Sequence, residues 1–202
     1  MSSSDASRLD TLLGPRVPQA VKSAVSTWLT LLKEWNARID LTAARDDNEL
    51  YDLMLADALA LAKRLPASSR VVDVGSGAGA PGLALALARP DLKVTLVEPL
   101  TKRIAFLRTV VGTVNRADIE LVRDRGEGVA EKRPNDWDVA ISRATLPPAS
   151  WIPLGLKLAP EAWALVAKAD PPEIPGAAAR EQVKYVWPLT KAARRVIRYT
   201  RA

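Results

Sequence analysis

A doubly wound α/β fold is the architecture that this sequence predicts, with a mostly parallel β-sheet, helices on both of its faces and a helical extension before it. Two observations support it. After residue 70, short β-branched runs alternate with longer amphipathic runs, the pattern of strands joined by crossover helices. A glycine-rich turn follows the first of these strands, at a point where such sheets bind ligands.

Residues 1–66 are predicted to form the helical extension. Its first 16 residues have the composition of a polar, poorly ordered tail. From Pro18, apolar residues recur at steps of four and three, which predicts an amphipathic helix. They are Val21, Val25, Trp28, Leu32 and Trp35. A second helix is predicted from Asn48, a suitable N-cap, to about Arg64, where Pro66 stops it.

Residues 67–202 are predicted to form the second domain, in which strands and helices alternate. The expected elements are strand 70–74, helix 81–88, strand 93–98, helix 101–113, strand 118–122, a short helix near 127–131, strand 137–142, helix 150–157 and strand 162–168. A proline-rich loop near 171–176 interrupts the alternation. Two late strands, about 182–187 and 194–200, are expected to close the sheet with an antiparallel edge.

The composition excludes several kinds of chemistry and location. The 202 residues include no cysteine and no histidine, which rules out disulfides, thiolate catalysis, imidazole bases and the commonest metal ligands. No metal site is predicted. The longest apolar run, residues 83–88, is too short to span a membrane, and the first residues lack the pattern of a signal peptide. We therefore expect a cytoplasmic protein that does not bind membranes.

The net charge of +6 comes from the C-terminus. Between Arg180 and Ala202, seven cations face a single acid, Glu181, and this excess equals the charge of the whole chain. A basic edge of this kind predicts a polyanionic partner, above all nucleic acid. The alternative is an edge strand that lysine and arginine protect from pairing with other chains.

The glycine-rich turn extends from Gly75 to Gly82 and comes directly after the acid Asp73. Glycine tolerates positive φ and lets a ligand lie against bare backbone, and the start of a helix offers free N–H groups. The next strand ends at Glu98, about 20 residues further on, where an acidic side chain binds ribose hydroxyls. The candidate contacts of a nucleotide-like cofactor are therefore Asp73, Gly75, Gly77, Gly79 and Glu98.

The turn favours S-adenosylmethionine over NAD. The spacing Gly77-x-Gly79-x-x-Gly82 also matches the dinucleotide fingerprint. The glycines nevertheless begin earlier, at Gly75, and Asp73 offers a carboxylate to a cationic methionine amine. The chain is also short for a dinucleotide enzyme, which usually has a second mononucleotide half and a substrate domain. Another nucleotide and a purely structural turn remain as alternatives.

Charged residues follow each of the five predicted parallel strands. They are Asp73, Glu98, Asp124, Arg125, Glu127, Arg143 and Lys168. Because parallel strands end at one rim of the sheet, we expect the ligand site there.

Together these residues resemble the RsmG (GidB) family, which forms 7-methylguanosine in small-subunit ribosomal RNA. The resemblance extends from about Leu31 to the C-terminus. Its motifs are Glu34-Trp35-Asn36, Leu41-Thr42, the turn from Asp73 to Gly82, Lys102-Arg103 with Phe106-Leu107, and Asp138-Val139-Ala140-Ile141-Ser142-Arg143-Ala144. The Ile-Ser-Arg-Ala tetrapeptide and the Pro-Gly end of the turn are more specific than a generic methyltransferase loop.

The resemblance implies a Rossmann-like class I methyltransferase fold, S-adenosylmethionine as cofactor, and 16S ribosomal RNA or the small ribosomal subunit as partner. The residues that match cofactor positions are Gly75, Ala80, Gly126, Glu127 and Arg143, and Lys168 matches a lysine at the end of the fifth strand. Arg143 and Lys168 are the candidate catalytic residues, expected to hold RNA phosphates or the guanine O6 edge. The alternative for both is pairing with Asp73 or Asp138.

Three places depart from the family's pattern. Leu53-Met54 stands where the family has Arg-His, although Asp57 of the same helix is present. Asp40 replaces an asparagine, and Ala169 replaces a glycine. These positions belong to the side expected to face the substrate or the methionine end of the cofactor.

Methylation at guanine N7 suits a chain without histidine and cysteine, because N7 already carries a lone pair and no base must remove a proton. Alignment then supplies much of the acceleration, and the target base must be unstacked to enter the site. Two alternatives remain: a small-molecule methyltransferase on the same fold, and a non-catalytic RNA-binding relative.

Overall fold

A seven-stranded sheet forms the centre of the structure, a computed structural model that describes residues 2–167, 170 and 172–202. The strands are β1 Arg70–Val74, β2 Lys93–Val97, β3 Glu120–Val122, β4 Val139–Arg143, β5 Glu161–Val166, β6 Ala177–Val186 and β7 Ala193–Arg201. Their order is β3-β2-β1-β4-β5-β7-β6. The first five strands are parallel, and β7 and β6 add an antiparallel edge. The predicted doubly wound fold is confirmed.

Helices cover both faces of this sheet. They are α1 Ser3–Leu13, α2 Gln19–Asn36, α3 Asp47–Tyr51, α4 Asp57–Ala62, α5 Gly82–Ala88, α6 Thr101–Thr113, α7 Gly126–Lys132 and α8 Pro148–Leu158. A π-helical turn, Asp52–Ala56, joins α3 to α4, so the predicted second helix is one helical segment with a wider turn inside it. None of the helices in the described part of the chain is long and apolar enough to span a membrane.

Alternate side chains of β1 enter two hydrophobic clusters, as the period of a strand requires. Val71 packs in the cluster that contains Trp28 of α2 and Phe106 of α6. Val72 packs on the opposite face, in the cluster that contains Trp151 of α8. Because the first cluster includes buried residues from both predicted domains, the boundary between residues 66 and 67 stays a prediction.

The prediction of a poorly ordered tail over residues 1–16 was wrong. The hydroxyl of Ser2 accepts a hydrogen bond from the Asp5 N–H, and the Asp5 carboxylate accepts one from the Ser2 N–H, which forms a capping box at the start of α1. Leu9 is fully buried in the first cluster. With a single fully buried side chain, so short a helix shows little apolar periodicity. Its polar composition is that of a disordered tail, so the sequence did not predict the helix.

The second discrepancy concerns the antiparallel edge. Strand β6 begins at Ala177, five residues before the predicted start, and pairs with β7 apart from an irregularity between Ala179 and Glu181. Its first residues, Ala177 to Ala179, are three alanines without apolar–polar alternation, so the sequence carried no strand pattern there.

Candidate functional site

A cavity of about 530 Å³ opens beside the carboxyl ends of β1, β2 and β4. Strands β1 and β4 are neighbours in the sheet, although β2 and β3 come between them in the chain, so the strand order reverses at this point. Open α/β sheets bind their ligands in the crevice that such a reversal leaves. The lining residues come from the glycine-rich turn, the segments after β2 and β4, and the N-terminal segment.

The glycine-rich turn presents bare backbone to the cavity at Gly77. The φ angles of Gly75, Gly77 and Gly79 are 75°, 55° and 105°, a region that side chains rarely adopt. A Cβ at Gly77 would meet only the carbonyl oxygen of Gly75, at 3.9 Å, whereas a Cβ at Gly75 would collide with the side chain of Thr145. Gly75 therefore permits close packing of the segment after β4, and Gly77 leaves space that a ligand can fill.

Helix α2 supports the turn from below. The indole N–H of Trp28 donates a hydrogen bond of 2.9 Å to the carbonyl oxygen of Ala78. A Cβ at Gly79 would approach Trp28 and Leu83, so Gly79 faces the core and is absent from the cavity wall. Ala80 does line the cavity, as the sequence predicts.

Asp73 lies beneath the turn and does not line the cavity. The side chain is completely buried, and its Oδ2 accepts a hydrogen bond of 2.9 Å from the Gly82 N–H. Its Oδ1 is buried without a hydrogen-bond partner among the described residues. Burial raises the pKa of Asp73 to about 6, although the Gly82 N–H acts in the opposite direction. Asp73 thus fixes the start of α5, and its contact with a methionine amine stays a prediction.

Glu98 joins the turn to the segment after β2. Its Oε2 accepts a hydrogen bond of 2.9 Å from the Gly77 N–H, and its Oε1 accepts one of 2.9 Å from the Leu100 N–H. The side chain lies in the cavity wall. Each carboxylate oxygen can accept a second hydrogen bond, so Glu98 retains capacity for a hydroxyl donor. Its contact with a ribose remains a prediction.

Arg143 also lies in the cavity wall, but its partner is Asp57. Its Nη1 donates hydrogen bonds to the carbonyl oxygen of Leu53 and, at 3.2 Å, to Asp57 Oδ2. The alternative prediction, pairing of Arg143 with Asp73 or Asp138, was wrong. The actual partner, Asp57, belongs to the N-terminal helices. The pattern of strands does not predict where these helices pack on the sheet.

Asp57 joins three distant parts of the chain. The residue is 3% exposed, and its Oδ1 accepts hydrogen bonds from the Tyr185 hydroxyl, at 2.7 Å, and from the Trp187 indole N–H, at 2.6 Å. Burial and the neighbouring Asp57 carboxylate raise the pKa of Tyr185. The carboxylate therefore holds Arg143 and the end of β6 in one hydrogen-bonded cluster. Sequence reasoning missed Tyr185 and Trp187, and the only signal was that Asp57 persists beside the absent Arg-His pair.

The N-terminal segment forms the remaining wall of the cavity. The amide oxygen of Asn36 accepts hydrogen bonds from the backbone N–H groups of Leu41, at 2.9 Å, and Thr42, at 3.0 Å. The ring of Trp35 lies 5.6 Å from that of Phe106 in α6. Through these hydrogen bonds the Glu-Trp-Asn motif holds Leu41 and Thr42 in the cavity wall.

Two further predicted site residues, Gly126 and Glu127, lie outside this cavity. Gly126 and Glu127 begin α7, where Gly126 is buried and a Cβ would lie 2.6 Å from Val74 Cγ1, while Glu127 is exposed. Their contacts with an adenine stay predictions. Lys168 lies outside the residues that the structure describes. Within the described ranges, no group of three or more acidic side chains is placed to hold a metal ion.

The arginines of β7 are engaged within the protein. The contacts are Arg195 with Asp170 at 2.7 Å, Arg198 with Glu161 at 2.9 Å and Glu181 at 3.7 Å, and Arg194 over the ring of Trp187 at 3.7 Å. A cation that already pairs with a carboxylate or stacks on an indole is less available to a phosphate. These contacts favour a structural role for the β7 arginines. Because β7 pairs with a strand on both sides, the edge strand that cations could protect is β6, which carries Arg180 and Lys184.

Comparison with known proteins agrees with the sequence motifs. A family profile described as GidB, rRNA small subunit methyltransferase G, matches residues 21–186. The ribosomal RNA small subunit methyltransferase G of Anaeromyxobacter dehalogenans is 34% identical, over 93% of this chain and 92% of its own length. That of Mycobacterium leprae is 42% identical over 66% of this chain, and the alignment spans about half of its length, 52%.

A solved structure supports the fold independently. That of M. jannaschii TYW2 in complex with AdoMet superimposes with a TM-score of 0.57 and 12% identity, covering 82% of this chain and 80% of that chain. At this identity the likeness concerns the fold alone.

Proposed function

The chain belongs to the rRNA small subunit methyltransferase G family, and we propose that it transfers a methyl group from S-adenosylmethionine to N7 of a guanine in 16S ribosomal RNA. The observation that carries this proposal is the bare backbone of Gly77 at the switch point of the sheet, with Glu98 and Arg143 in the same cavity wall. The partner is ribosomal RNA, free or in the small subunit, and its location is the cytoplasm.

Three features of the cavity and of the residues beneath its glycine-rich turn fit S-adenosylmethionine. The space over Gly77 is open, the oxygen atoms of Glu98 can each accept a further hydrogen bond, and the buried Oδ1 of Asp73 lacks a partner among the described residues. With a pKa of about 6, Asp73 is ionised at neutral pH and favours a cationic amine nearby. The TYW2 protein, which has a similar fold, was solved in complex with AdoMet.

The cofactor would be held by residues of the turn and the two strand ends. We assign the backbone of Gly75, Gly77 and Ala80 to the cradle and Glu98 to the ribose. Gly126 and Glu127 are assigned to the adenine end, because α7 follows the next parallel strand of the same rim.

When bound, S-adenosylmethionine supplies the methyl group on a sulfonium, and the protein has to align N7 with it. Arg143 can donate hydrogen bonds to guanine O6 or to a phosphate, and Asp57 restrains its guanidinium from behind. Leu53 and Met54 give the wall an apolar part that excludes water where the family has Arg-His. No group needs to accept a proton, because N7 is unprotonated at neutral pH.

The test is methyl transfer from labelled S-adenosylmethionine to two substrates, unmodified 16S ribosomal RNA and small subunits assembled from it. Transfer to at least one of them is expected, with a nearly constant rate between about pH 7 and 9, above the raised pKa of Asp73 and below the range in which unperturbed lysines and arginines lose their charge. The Arg143→Ala variant should lose most of this activity, whereas Arg116→Ala, which removes an arginine paired with Asp118, should not.

Calorimetry with S-adenosylmethionine and with NAD completes the test. Binding of S-adenosylmethionine without transfer to either RNA substrate would contradict the proposed reaction, and binding of NAD instead would contradict the cofactor assignment. A bell-shaped pH profile centred near neutrality would exclude N7, because an oxygen or an exocyclic nitrogen needs a base.

A further inference from the structure

A second cavity, of about 470 Å³, adjoins the candidate site. The two cavities share Leu100 and Arg103, so they form neighbouring parts of one groove. The other residues that line the second cavity are Arg38, Ile39, Asp40, Thr101 and Lys102. We refer to Arg38, Leu100, Lys102 and Arg103 as the rim cluster.

The cations of the rim cluster have few partners within the protein. Among the described residues, the side chains of Arg38 and Lys102 form no ion pair and no hydrogen bond, and both are exposed. Arg103 has a single long hydrogen bond, of 3.5 Å, to the carbonyl oxygen of Asp40. Arg116, in contrast, forms two hydrogen bonds of 2.7 Å with one carboxylate. The rim cluster thus offers three cations to an external anion, with Asp40 as the one acid in that wall.

Leu100 adds an apolar surface to these charges. It is 52% exposed, and only one other large hydrophobic side chain in the described part of the chain is as open to solvent. Its backbone N–H is fixed by Glu98, so the side chain stands at the border of the two cavities. An exposed apolar side chain among cations matches the surface of an unstacked nucleic-acid strand, which carries phosphates and the flat faces of bases.

We propose that the rim cluster is the RNA-docking site, where Arg38, Lys102 and Arg103 bind phosphates next to the target nucleotide and Leu100 packs against a neighbouring unstacked base. The inference rests on the proposed function, which makes RNA the substrate. A base that enters the cavity keeps its own phosphates at the cavity mouth, because the sugar joins them. The rim cluster lies at that mouth, while the arginines of β7 are engaged in contacts within the protein.

The first experiment measures binding of an unmodified 16S RNA transcript as a function of salt concentration. Each lost phosphate contact makes the negative slope of log affinity against log salt shallower by roughly 0.7–0.9. The triple variant Arg38→Gln/Lys102→Gln/Arg103→Gln should therefore have a slope shallower by roughly 2.1–2.7 and an affinity lower by at least about tenfold. The exposed pair Lys93→Gln/Lys157→Gln removes cations from outside both cavities and should change neither value. The Leu100→Ser variant should weaken binding without changing the slope, because it carries no charge.

The outcomes separate the docking site from the proposed function. An unchanged slope in the triple variant, together with methylation by the unaltered protein, would overturn the docking site and leave the function intact. If the slope becomes shallower in the Arg180→Gln/Lys184→Gln variant and not in the triple variant, the RNA binds at the C-terminal edge. That result would also contradict the docking site at the rim cluster. Absence of any RNA methylation by the unaltered protein would overturn the function itself. Calorimetry with S-adenosylmethionine on Arg38→Gln/Lys102→Gln, which retains Arg103, should show unchanged cofactor affinity and so exclude misfolding.

Discussion

Replacing Asp57 with alanine removes the carboxylate that joins Arg143 to the end of β6. The side chains of Asp57 and Arg143 are 4% and 15% exposed, so water cannot readily replace the lost acceptor. Removing one partner of a buried ion pair costs about 3–5 kcal/mol. Trp187 is a buried neutral donor left without an acceptor, which costs about 1–3 kcal/mol, whereas Tyr185 is only partly buried. Arg143 keeps its bond to the Leu53 carbonyl, which offsets part of the loss, so we expect a total near the lower end of the summed range, about 4–5 kcal/mol.

Urea unfolding followed by tryptophan fluorescence measures this loss. The control is Asp118→Ala, which removes a carboxylate that is 55% exposed and should cost at most about 1 kcal/mol. In a double-mutant cycle, Trp187→Phe should cost clearly less in the Asp57→Ala background than in the unaltered protein, because its acceptor is already absent. A loss below about 1 kcal/mol for Asp57→Ala, or strict additivity with Trp187→Phe, would refute the role given to this carboxylate.

Three further predictions concern the glycine-rich turn. The folded protein holds the proton of Asp73 up to about pH 6, against 3.8 for the ordinary value, so this group lowers the free energy of unfolding as pH rises between these values. In urea titrations, the free energy of unfolding of the Asp73→Asn variant should fall less with pH over this range. The same pH dependence in the variant and the unaltered protein would contradict the raised pKa of Asp73. Glu98→Ala should weaken S-adenosylmethionine binding by roughly 1–3 kcal/mol in calorimetry, and unchanged affinity would remove it from the site. Gly75→Ala should lower both Tm and cofactor affinity, because its Cβ collides with Thr145, whereas Gly112→Ala, in open space on α6, should not.

The alternation of strands and helices was predictable because its signals are local. Strand β1 and helix α6 have the predicted bounds, since β-branched runs and nearby glycine or proline mark their ends. The cavity at the carboxyl ends of the strands followed from the same pattern, because parallel strands place successive ends at one rim. Part of the glycine-rich turn, Glu98 and Arg143 accordingly line one cavity of the structure.

The contacts themselves were not predictable, because they join residues far apart in the chain. Asp57 lies 86 residues from Arg143 and 128 from Tyr185 in the sequence, and local periodicity does not predict contacts over such separations. Counting formal charges does not report ion pairs either. The basic C-terminus has a large formal excess of cations, yet Arg195 and Arg198 face carboxylates of other segments.

Mapping the methylated base is the sharpest test of the proposed reaction. Unmodified 16S ribosomal RNA, incubated with the protein and S-adenosylmethionine, would be treated with borohydride and aniline, which cleave the strand at a guanine methylated on N7. We expect cleavage at one guanine, dependent on cofactor and lost in Arg143→Ala. Incorporation of labelled methyl without such cleavage, or no incorporation into RNA despite cofactor binding, would contradict methylation at N7.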